Sequence, residues 1–327
     1  MRLIIQFTLS LLLTGFLLPS AAEESRFFEF SYQLIPSELP LDKQIDVYLP
    51  LPAEQVGQTV LEESLTSSFA GRKGVEKRYE NGFYHVTRPA NSNAPITAKL
   101  TWTVSRKILR ANNEATLTEA EKALFLNSNT LVPVGHEVLK PILQEIHQLR
   151  ANDSPAATAR AIYDWVVDNV EYKKVGSGWG NGDTFWACSE RYGNCTDFHA
   201  LFIALARSEG IPARFEIGFP VPLSRVAGDI GGYHCWVQFY LPEQGWIPID
   251  ASEAAKNPDK RALFYGTHPA DRIHFSTGRD LVVSEASEED PLNYFIYPYV
   301  EVDGIPWQGK LKTKFSYREV NAPRVAD

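Results

Sequence analysis

Apolar and polar residues alternate in several segments between residues 26 and about 110, a period typical of β-strands. The segments read FFEFSYQL, QIDVYLPLP, GFYHVTRP and ITAKLTWTVSRKIL, and Pro- or Gly-containing turns separate them. The pattern predicts an antiparallel, sandwich-like β domain over residues 23–112. Its histidine, His85, falls within a strand segment, so we expect a structural role for it.

The pattern changes to helical spacing after residue 112. Thr118 and Glu121 fit a capping box before a short helix. Apolar residues recur at helical spacing over residues 134–149, and Ser154 followed by Pro155 is typical of another helix start. Residues 113–327 are therefore predicted to form a second, mixed α and β domain.

A further amphipathic helix is predicted in the stretch NCTDFHALFIALARSEGIP. Asn194 fits its N-cap, which places Cys195 in the first turn. The positive end of a helix and its unpaired N–H groups favour a thiolate over a thiol. The same N–H groups can hold an oxyanion. Cys195 is therefore the candidate nucleophile.

A β-hairpin is predicted after this helix, with GGYHCWVQFYL as one strand and WIPID as the next. Alternation places His234 on one face of the first strand and Cys235 on the other. The turn between the strands can bring Asp250 close to His234. Cys195, His234 and Asp250 would then supply a nucleophile, a base and a group that orients the base.

Two of these assignments have alternatives. Asp250 can instead cap a turn before Ala251 and Ser252. His199 lies four residues after Cys195, one helical turn away, and is an alternative base. A helical histidine at that spacing would lie behind the nucleophile rather than across a cleft, which favours His234.

Length and charge limit the classes of function. A chain of 327 residues suggests about two domains. Its formal net charge is −8 and its pI is about 5.5. Binding to a nucleic-acid backbone depends on Lys and Arg that neutralise phosphates, so nucleic acid is not an expected partner.

The first 22 residues have the order of a secretory signal peptide. Arg2 precedes an almost wholly apolar run over residues 3–18, and the small residues Ser20 and Ala22 follow it. Cleavage near Ala22 would release the mature protein into a periplasm or outside the cell. The alternative is an uncleaved membrane anchor, because the run is near the shortest length that spans a bilayer.

The chain has three cysteines, Cys188, Cys195 and Cys235, so at least one thiol is unpaired within the chain. The sequence does not decide whether Cys188 and Cys235 form a disulfide, since it does not give their separation. A metal site made of Cys188, Cys195 and His199 lacks the usual ligand spacing. Neither a metal nor another cofactor is expected.

The two motifs GNCTDFHALFIALARSEGIPAR and GGYHCWVQFYLPEQGWIPIDAS, in this order, resemble the transglutaminase-like superfamily, whose core is related to papain. The resemblance covers about residues 155–255. The segments VYLPLP, RIHFSTGRDL and LNYFIYPYVEVDG resemble a secreted bacterial branch of that group. The resemblance to the superfamily implies an α+β fold in which helices pack on an antiparallel sheet, with C-terminal strands completing the catalytic domain.

The resemblance also implies an activity and its residues. Cys195 corresponds to the nucleophile, His234 to the general base and acid, and Asp250 to the residue that orients the imidazole. The expected reaction is acyl transfer on amide or peptide bonds through a thioester, by a protease, an amidase or a transglutaminase-type enzyme. The expected substrate is a protein or peptide, with a cell-wall peptide as one alternative.

Two points stay open under this interpretation. Trp179 and Trp186 precede the nucleophile, and either indole N–H is a candidate oxyanion donor, with a place in the cleft wall or core as the alternative. The rival function is a catalytically idle fold that binds a peptide or serves in assembly.

Overall fold

The computed structural model describes residues 25–111 and 115–322. The predicted signal peptide, residues 1–22, lies outside the described residues. Within the described ranges, every helix is too short or too polar to cross a membrane.

Strands dominate both ends of the chain. In chain order they are β1 Arg26–Ile35, β2 Ile45–Pro50, β3 Gln58–Ser67, β4 Gly71–Val75, β5 Gly82–Arg88, β6 Ala98–Arg106, β7 Leu109–Arg110, β8 Glu171–Tyr172, β9 Tyr192–Gly193, β10 Ala213–Pro220, β11 Ala227–Ile230, β12 His234–Leu241, β13 Gly245–Ile249, β14 Thr267–His268, β15 Arg272–Thr277, β16 Tyr299–Val302, β17 Ile305–Pro306 and β18 Lys312–Val320.

The α-helices occupy the middle of the chain. They are α1 Glu119–Leu126, α2 Lys140–Leu149, α3 Pro155–Asn169, α4 Thr184–Glu190, α5 Cys195–Ser208 and α6 Ala251–Lys256. The predicted capping box of Thr118 and Glu121 is confirmed at α1, and Ser154 caps α3 as expected. The apolar run over residues 134–149 begins as a 3₁₀ turn and becomes α-helical at Lys140, where Pro141 occupies the first turn.

The strands of the N-terminal region form most of two five-stranded antiparallel sheets, which confirms the predicted sheet-rich region, and later strands complete both sheets. One sheet has the order β11-β18-β1-β6-β3 and the other the order β17-β16-β2-β5-β4. In β1 the alternate residues Phe28, Phe30 and Tyr32 are buried, as the alternating sequence pattern predicts. His85 is buried in β5, where its Nε2 lies 2.7 Å from Asp46 Oδ1.

The C-terminal strands differ from the expectation that they complete the catalytic domain. β18 pairs with β1, opposing Tyr317 to Phe30, and β16 pairs with β2, opposing Tyr299 to Tyr48. Both pairings place C-terminal strands in the N-terminal sheets. The physical reason is that β1 and β2 would each have an unpaired edge without β18 and β16, and the alternate buried residues of β18 continue the buried face of β1.

The middle of the chain forms a helix packed on a separate four-stranded sheet of order β13-β12-β10-β15. The helix is α5, which is buried from Cys195 through Ala206. Helices α3, α4 and α6 surround it. This arrangement confirms the predicted α+β core with helices on an antiparallel sheet.

The N-terminal sheets and this core share one hydrophobic interior. The ring of Phe30 in β1 lies 5.1 Å from the ring of Phe219 in β10 and 5.4 Å from that of Phe275 in β15. The site at the start of α5 therefore rests on a scaffold to which both ends of the chain contribute.

Candidate active site

The start of α5 presents Cys195, as the sequence predicts. Asn194 is the N-cap, and its side-chain oxygen accepts a hydrogen bond from the Thr196 N–H at 2.8 Å. The Asp197 carboxylate completes a capping box by accepting from the Asn194 N–H at 2.9 Å. The cap thus fixes Cys195 as the first helical residue. Cys195 is 3% exposed.

The predicted hairpin brings His234 and Asp250 together. His234 opens β12, and Asp250 directly follows β13, which pairs with β12 in antiparallel register. His234 Nε2 lies 2.7 Å from Asp250 Oδ2, and both side chains are buried.

Asp250 also performs the capping role that was its alternative. Its Oδ1 accepts hydrogen bonds from the Glu253 N–H and the Ser252 hydroxyl, each at 3.0 Å, at the start of α6. The two carboxylate oxygens therefore have separate tasks, and the helix cap fixes the plane in which the other oxygen meets His234.

Arg272 is a further partner of Asp250 that the sequence reasoning missed. Its Nη1 donates to Asp250 Oδ2 at 2.9 Å, and its guanidinium lies 5.0 Å from the ring of Trp236. Arg272 opens β15, the strand beside β10, and is 2% exposed. No local pattern marks it, because only the sheet order brings β15 to the site.

The charged groups at the site shift one another's pKa values toward the ionised forms. Burial alone would raise the pKa of Asp250, but the charge and hydrogen bond of His234, with the Arg272 guanidinium, hold it well below its ordinary value. Burial likewise disfavours a charged His234 ring, yet Asp250 and Cys195 raise its pKa to about 10.

The pKa of Cys195 is shifted in the direction opposite to that of His234. A hydrogen bond from the Cys235 thiol, and the hydrogen bond and positive charge of His234, hold the pKa of Cys195 well below its ordinary value despite burial. The arrangement therefore favours a thiolate beside an imidazolium.

Cys235 and His199 form a second contact around the same groups. The side chain of Cys235 is fully buried, and alternation along β12 directs it to the face opposite His234. His199 Nδ1 lies 3.4 Å from Cys235 Sγ, and its Nε2 lies 3.6 Å from Asp250 Oδ1. Burial lowers the pKa of His199 to about 4, so its ring is neutral at ordinary pH.

His199 thus contacts Cys235 and lies close to Asp250 from the same helix that carries Cys195. All three cysteines are free, so the structure contains no disulfide between Cys188 and Cys235. Within the described residues, no group of three or more His, Cys, Asp or Glu side chains is arranged to hold a metal ion.

A glycine-rich loop beside Cys195 is tied to α5 by Asp197. This buried carboxylate accepts from the Gly180 N–H at 2.7 Å and from the Gly182 N–H at 3.0 Å. Arg279 holds the same loop from the other side, donating to the Gly182 carbonyl at 2.8 Å. Asp197 is a site residue that was not predicted from the sequence, although its position three residues after the N-cap is a capping-box signal.

A cleft of about 390 Å³ opens at Cys195. Five of the residues that line it are aromatic: Tyr172, Trp179, Tyr233, Tyr294 and Tyr297.

The two tryptophans lie in different places. Trp179 lines the cleft, and its indole N–H donates to the Gly176 carbonyl at 3.2 Å. Trp186 is not among the described residues that line the cleft, and its indole N–H donates to the Tyr192 carbonyl at 3.1 Å. In this structure both N–H groups therefore serve the backbone of the surrounding loops.

Comparison with known proteins adds a family to this geometry. Residues 143–251 match the family model of the transglutaminase-like superfamily. The chain is 30% identical over 200 residues to an uncharacterized protein of Haemophilus influenzae, covering 51% of this chain and 54% of that protein. It is 34% identical over 77 residues to the uncharacterized protein YebA of Bacillus subtilis, covering 21% of this chain and 10% of YebA.

A solved structure is similar along most of its length. A candidate cysteine protease from Cytophaga hutchinsonii superposes with a TM-score of 0.59 at 19% identity, covering 92% of this chain and 93% of that one. This likeness shows a shared fold. The sequence matches are shorter, since the chain spans about half of the Haemophilus relative and a tenth of YebA. Residues 143–251 therefore belong to the transglutaminase-like superfamily.

Proposed function

We propose that the protein is a cysteine-dependent acyltransferase or amide hydrolase that acts on proteins or peptides. Cys195 is the nucleophile, His234 the general base and acid, and Asp250 the residue that orients the imidazole. The observation that carries the proposal is the 2.7 Å contact between His234 and Asp250. Two further facts support it: Cys195 opens α5, and its negative charge is one of the causes that raise the pKa of His234.

The first half-reaction forms a thioester. The Cys195 thiolate attacks the carbonyl carbon of an amide, and the carbonyl oxygen becomes an oxyanion. The Cys195 N–H lies in the first turn of α5, where backbone N–H groups have no acceptor within the helix, so it can donate to that oxygen. The tetrahedral intermediate collapses, and His234 gives its proton to the departing amine.

The second half-reaction regenerates the thiolate. Water resolves the thioester in a hydrolase, whereas a primary amine resolves it in a cross-linking enzyme. In both cases His234 accepts a proton from the attacking group. The five aromatic side chains that line the cleft offer faces against which a peptide chain can pack, which supports a polypeptide substrate.

The proposed location follows from the N-terminal sequence. We propose that the chain is cleaved near Ala22 and acts in the periplasm or outside the cell, supported by the apolar run over residues 3–18 and the small residues after it. The N-terminal sequence of the exported protein measures this directly, and a mature protein that retains residues 1–22 would contradict it.

Hydroxylamine trapping tests the proposed reaction. The full chain is incubated with glutamine-containing peptides and with hydroxylamine, which captures a thioester as a hydroxamate. We expect hydroxamate from the wild type and from Cys188→Ser, and none from Cys195→Ser. A serine hydroxyl is far less acidic than a thiol and is not ionised by the neighbouring imidazole.

The same experiment separates the rival function. A catalytically idle module would bind the peptides without forming hydroxamate, and the wild type would then behave like Cys195→Ser. Without hydroxylamine, the products distinguish the two reactions. A free acid indicates hydrolysis, whereas a new amide bond to a lysine-containing peptide indicates cross-linking.

A further inference from the structure

We propose that the cleft at Cys195 selects peptides that carry a carboxylate close to the reacting amide, and that the ammonium of Lys174 binds this carboxylate. The inference rests on the proposed function for the reaction itself. It adds the chemical class of the acyl donor, a peptide with an acidic residue beside the amide that Cys195 attacks.

The lining of the cleft carries one basic side chain and no acidic one. Among the described residues that line it, Lys174 is the basic residue, and none of the others has a carboxyl group. The negative charge of the Cys195 thiolate is balanced by the neighbouring His234. The cleft therefore offers a cation to a ligand, although the whole chain has a net charge of −8.

The Lys174 ammonium has no acidic partner of its own. Within residues 25–111 and 115–322, no ion pair joins it to a carboxylate. Two other lysines of this region are paired. Lys173 lies 3.7 Å from Glu171, and Lys256, whose Nζ lies 4.5 Å from the centre of the Tyr172 ring, is paired with Glu253. The charge of Lys174 is thus the one left for a substrate.

Two aromatic rings of the cleft position this ammonium. Lys174 Nζ lies 5.6 Å from the centre of the Tyr172 ring and 6.0 Å from that of Trp179. The face of an aromatic ring attracts a cation, and both residues line the cleft. Neither contact is a hydrogen bond, so the N–H donors of the ammonium remain available to a carboxylate.

The pairing of β8 with β9 places Lys174 close to the nucleophile. The two strands run parallel and oppose Tyr172 to Gly193, and the Lys173 N–H donates to the Gly193 carbonyl at 2.9 Å. Gly193 lies two residues before Cys195, so the backbone that leads into Lys174 is fixed beside the start of α5. A carboxylate bound by Lys174 therefore belongs to the same short segment of substrate as the amide at Cys195.

The exposure of Lys174 sets the size of the effect. Lys174 is exposed, and ion pairs between exposed groups are weak, so we expect about a two- to fivefold preference for an acidic peptide. Salt screens such pairs, since the Debye length falls from about 10 Å at 0.1 M to about 3 Å at 1 M. The preference should therefore disappear at high salt.

Matched peptides test this selection with the full chain. Two glutamine-containing peptides differ in one residue next to the glutamine, aspartate in one and asparagine in the other, and a second pair carries the change on the other side. Hydroxamate formation gives the ratio of kcat/KM for the aspartate peptide to that for the asparagine peptide. For one of the two pairs, we expect a ratio of about two to five in the wild type at low salt.

Variants assign the preference to one side chain. Lys174→Gln should bring the ratio to about one, and Lys174→Glu should bring it below one, because the charge at the cleft is then reversed. Lys173→Gln is the matched control, since Lys173 is the neighbouring exposed lysine and is not among the described residues that line the cleft. It should keep the wild-type ratio.

Binding separates this inference from the proposed function. Isothermal titration of Cys195→Ser with the same peptides needs no turnover, and the aspartate peptide should bind about two- to fivefold more tightly. That preference in binding, with no hydroxamate from the wild type, would overturn only the proposed function. Equal affinities for the aspartate and asparagine peptides of both pairs would overturn the selection. A preference that persists in Lys174→Gln or at 1 M salt would overturn the role of Lys174.

Discussion

Asp197 Oδ2 accepts a hydrogen bond from the Gly180 N–H at 2.7 Å, which joins the glycine-rich loop to the helix that carries Cys195. The carboxylate accepts from three backbone N–H groups in all, those of Gly180, Gly182 and Asn194. It lies two residues after Cys195, so one side chain both caps the helix and fixes one wall of the cleft.

Asp197→Asn is expected to lower kcat/KM in the hydroxamate assay by about 10- to 100-fold, because misplacing substrate-positioning groups costs rate. An amide offers one acceptor oxygen in place of two and turns an NH₂ group toward N–H donors. Asp229→Asn, at an exposed carboxylate on β11, is the control and should leave kcat/KM unchanged. An unaltered kcat/KM for Asp197→Asn would show that the loop does not position the substrate.

Arg272→Gln is expected to move the acid limb of the pH dependence of kcat/KM to higher pH. The Arg272 guanidinium favours the ionised form of Asp250, so its loss raises the pKa of that carboxyl. Removing one partner of a buried ion pair also costs about 3–5 kcal/mol of stability. Arg272→Lys keeps the charge and should restore most of the profile, whereas a purely structural residue would change stability and leave the profile in place.

Alkylation of Cys195 by iodoacetamide is expected to vary little with pH between about pH 6 and pH 8, less than about threefold, whereas an ordinary thiol gains about tenfold per unit. The sign follows from the lowered pKa of Cys195, which keeps it ionised across this range. His234→Ala removes the neighbouring positive charge and should restore a steep dependence. Burial raises the pKa of Cys188 to about 11, so its background labelling is slow. A steep profile for the wild type would rule out the thiolate.

Phe30→Ala is expected to lower the free energy of unfolding by about 3–5 kcal/mol, the usual cost of removing a buried aromatic ring. Phe30 is in contact with both Phe219 and Phe275 of the central sheet, so both regions should unfold together in denaturant. Phe185→Ala, at a side chain that is 41% exposed, should cost much less. Two separate unfolding transitions in the wild type would contradict a shared interior.

The local parts of the site could be predicted from the sequence. Asn194 and Ser154 were identified as helix caps because a cap acts on N–H groups two or three residues away. The His234–Asp250 contact could be predicted as well, since a short hairpin joins the two residues. In each case the interacting groups are close along the chain.

The contacts that were missed join distant parts of the chain. Arg272 reaches Asp250 because β15 pairs with β10, and no nearby residue indicates that pairing. The partner of β1 proved to be β18, at the opposite end of the chain. Alternation predicts that such strands exist and which face is buried, but several edges can satisfy the same pattern.

The pairing of β1 with β18 has a consequence for how the protein is made. Phe28, Phe30 and Tyr32 of β1 are synthesised early, yet β1 gains its second neighbouring strand only after residues 312–320 have been synthesised. Contacts this distant in sequence form slowly, and until then the aromatic face of β1 is open to aggregation. A product that terminates before β18 cannot complete the sheet. The hydrophobic interior beneath β1 is therefore complete only in a chain that includes β18.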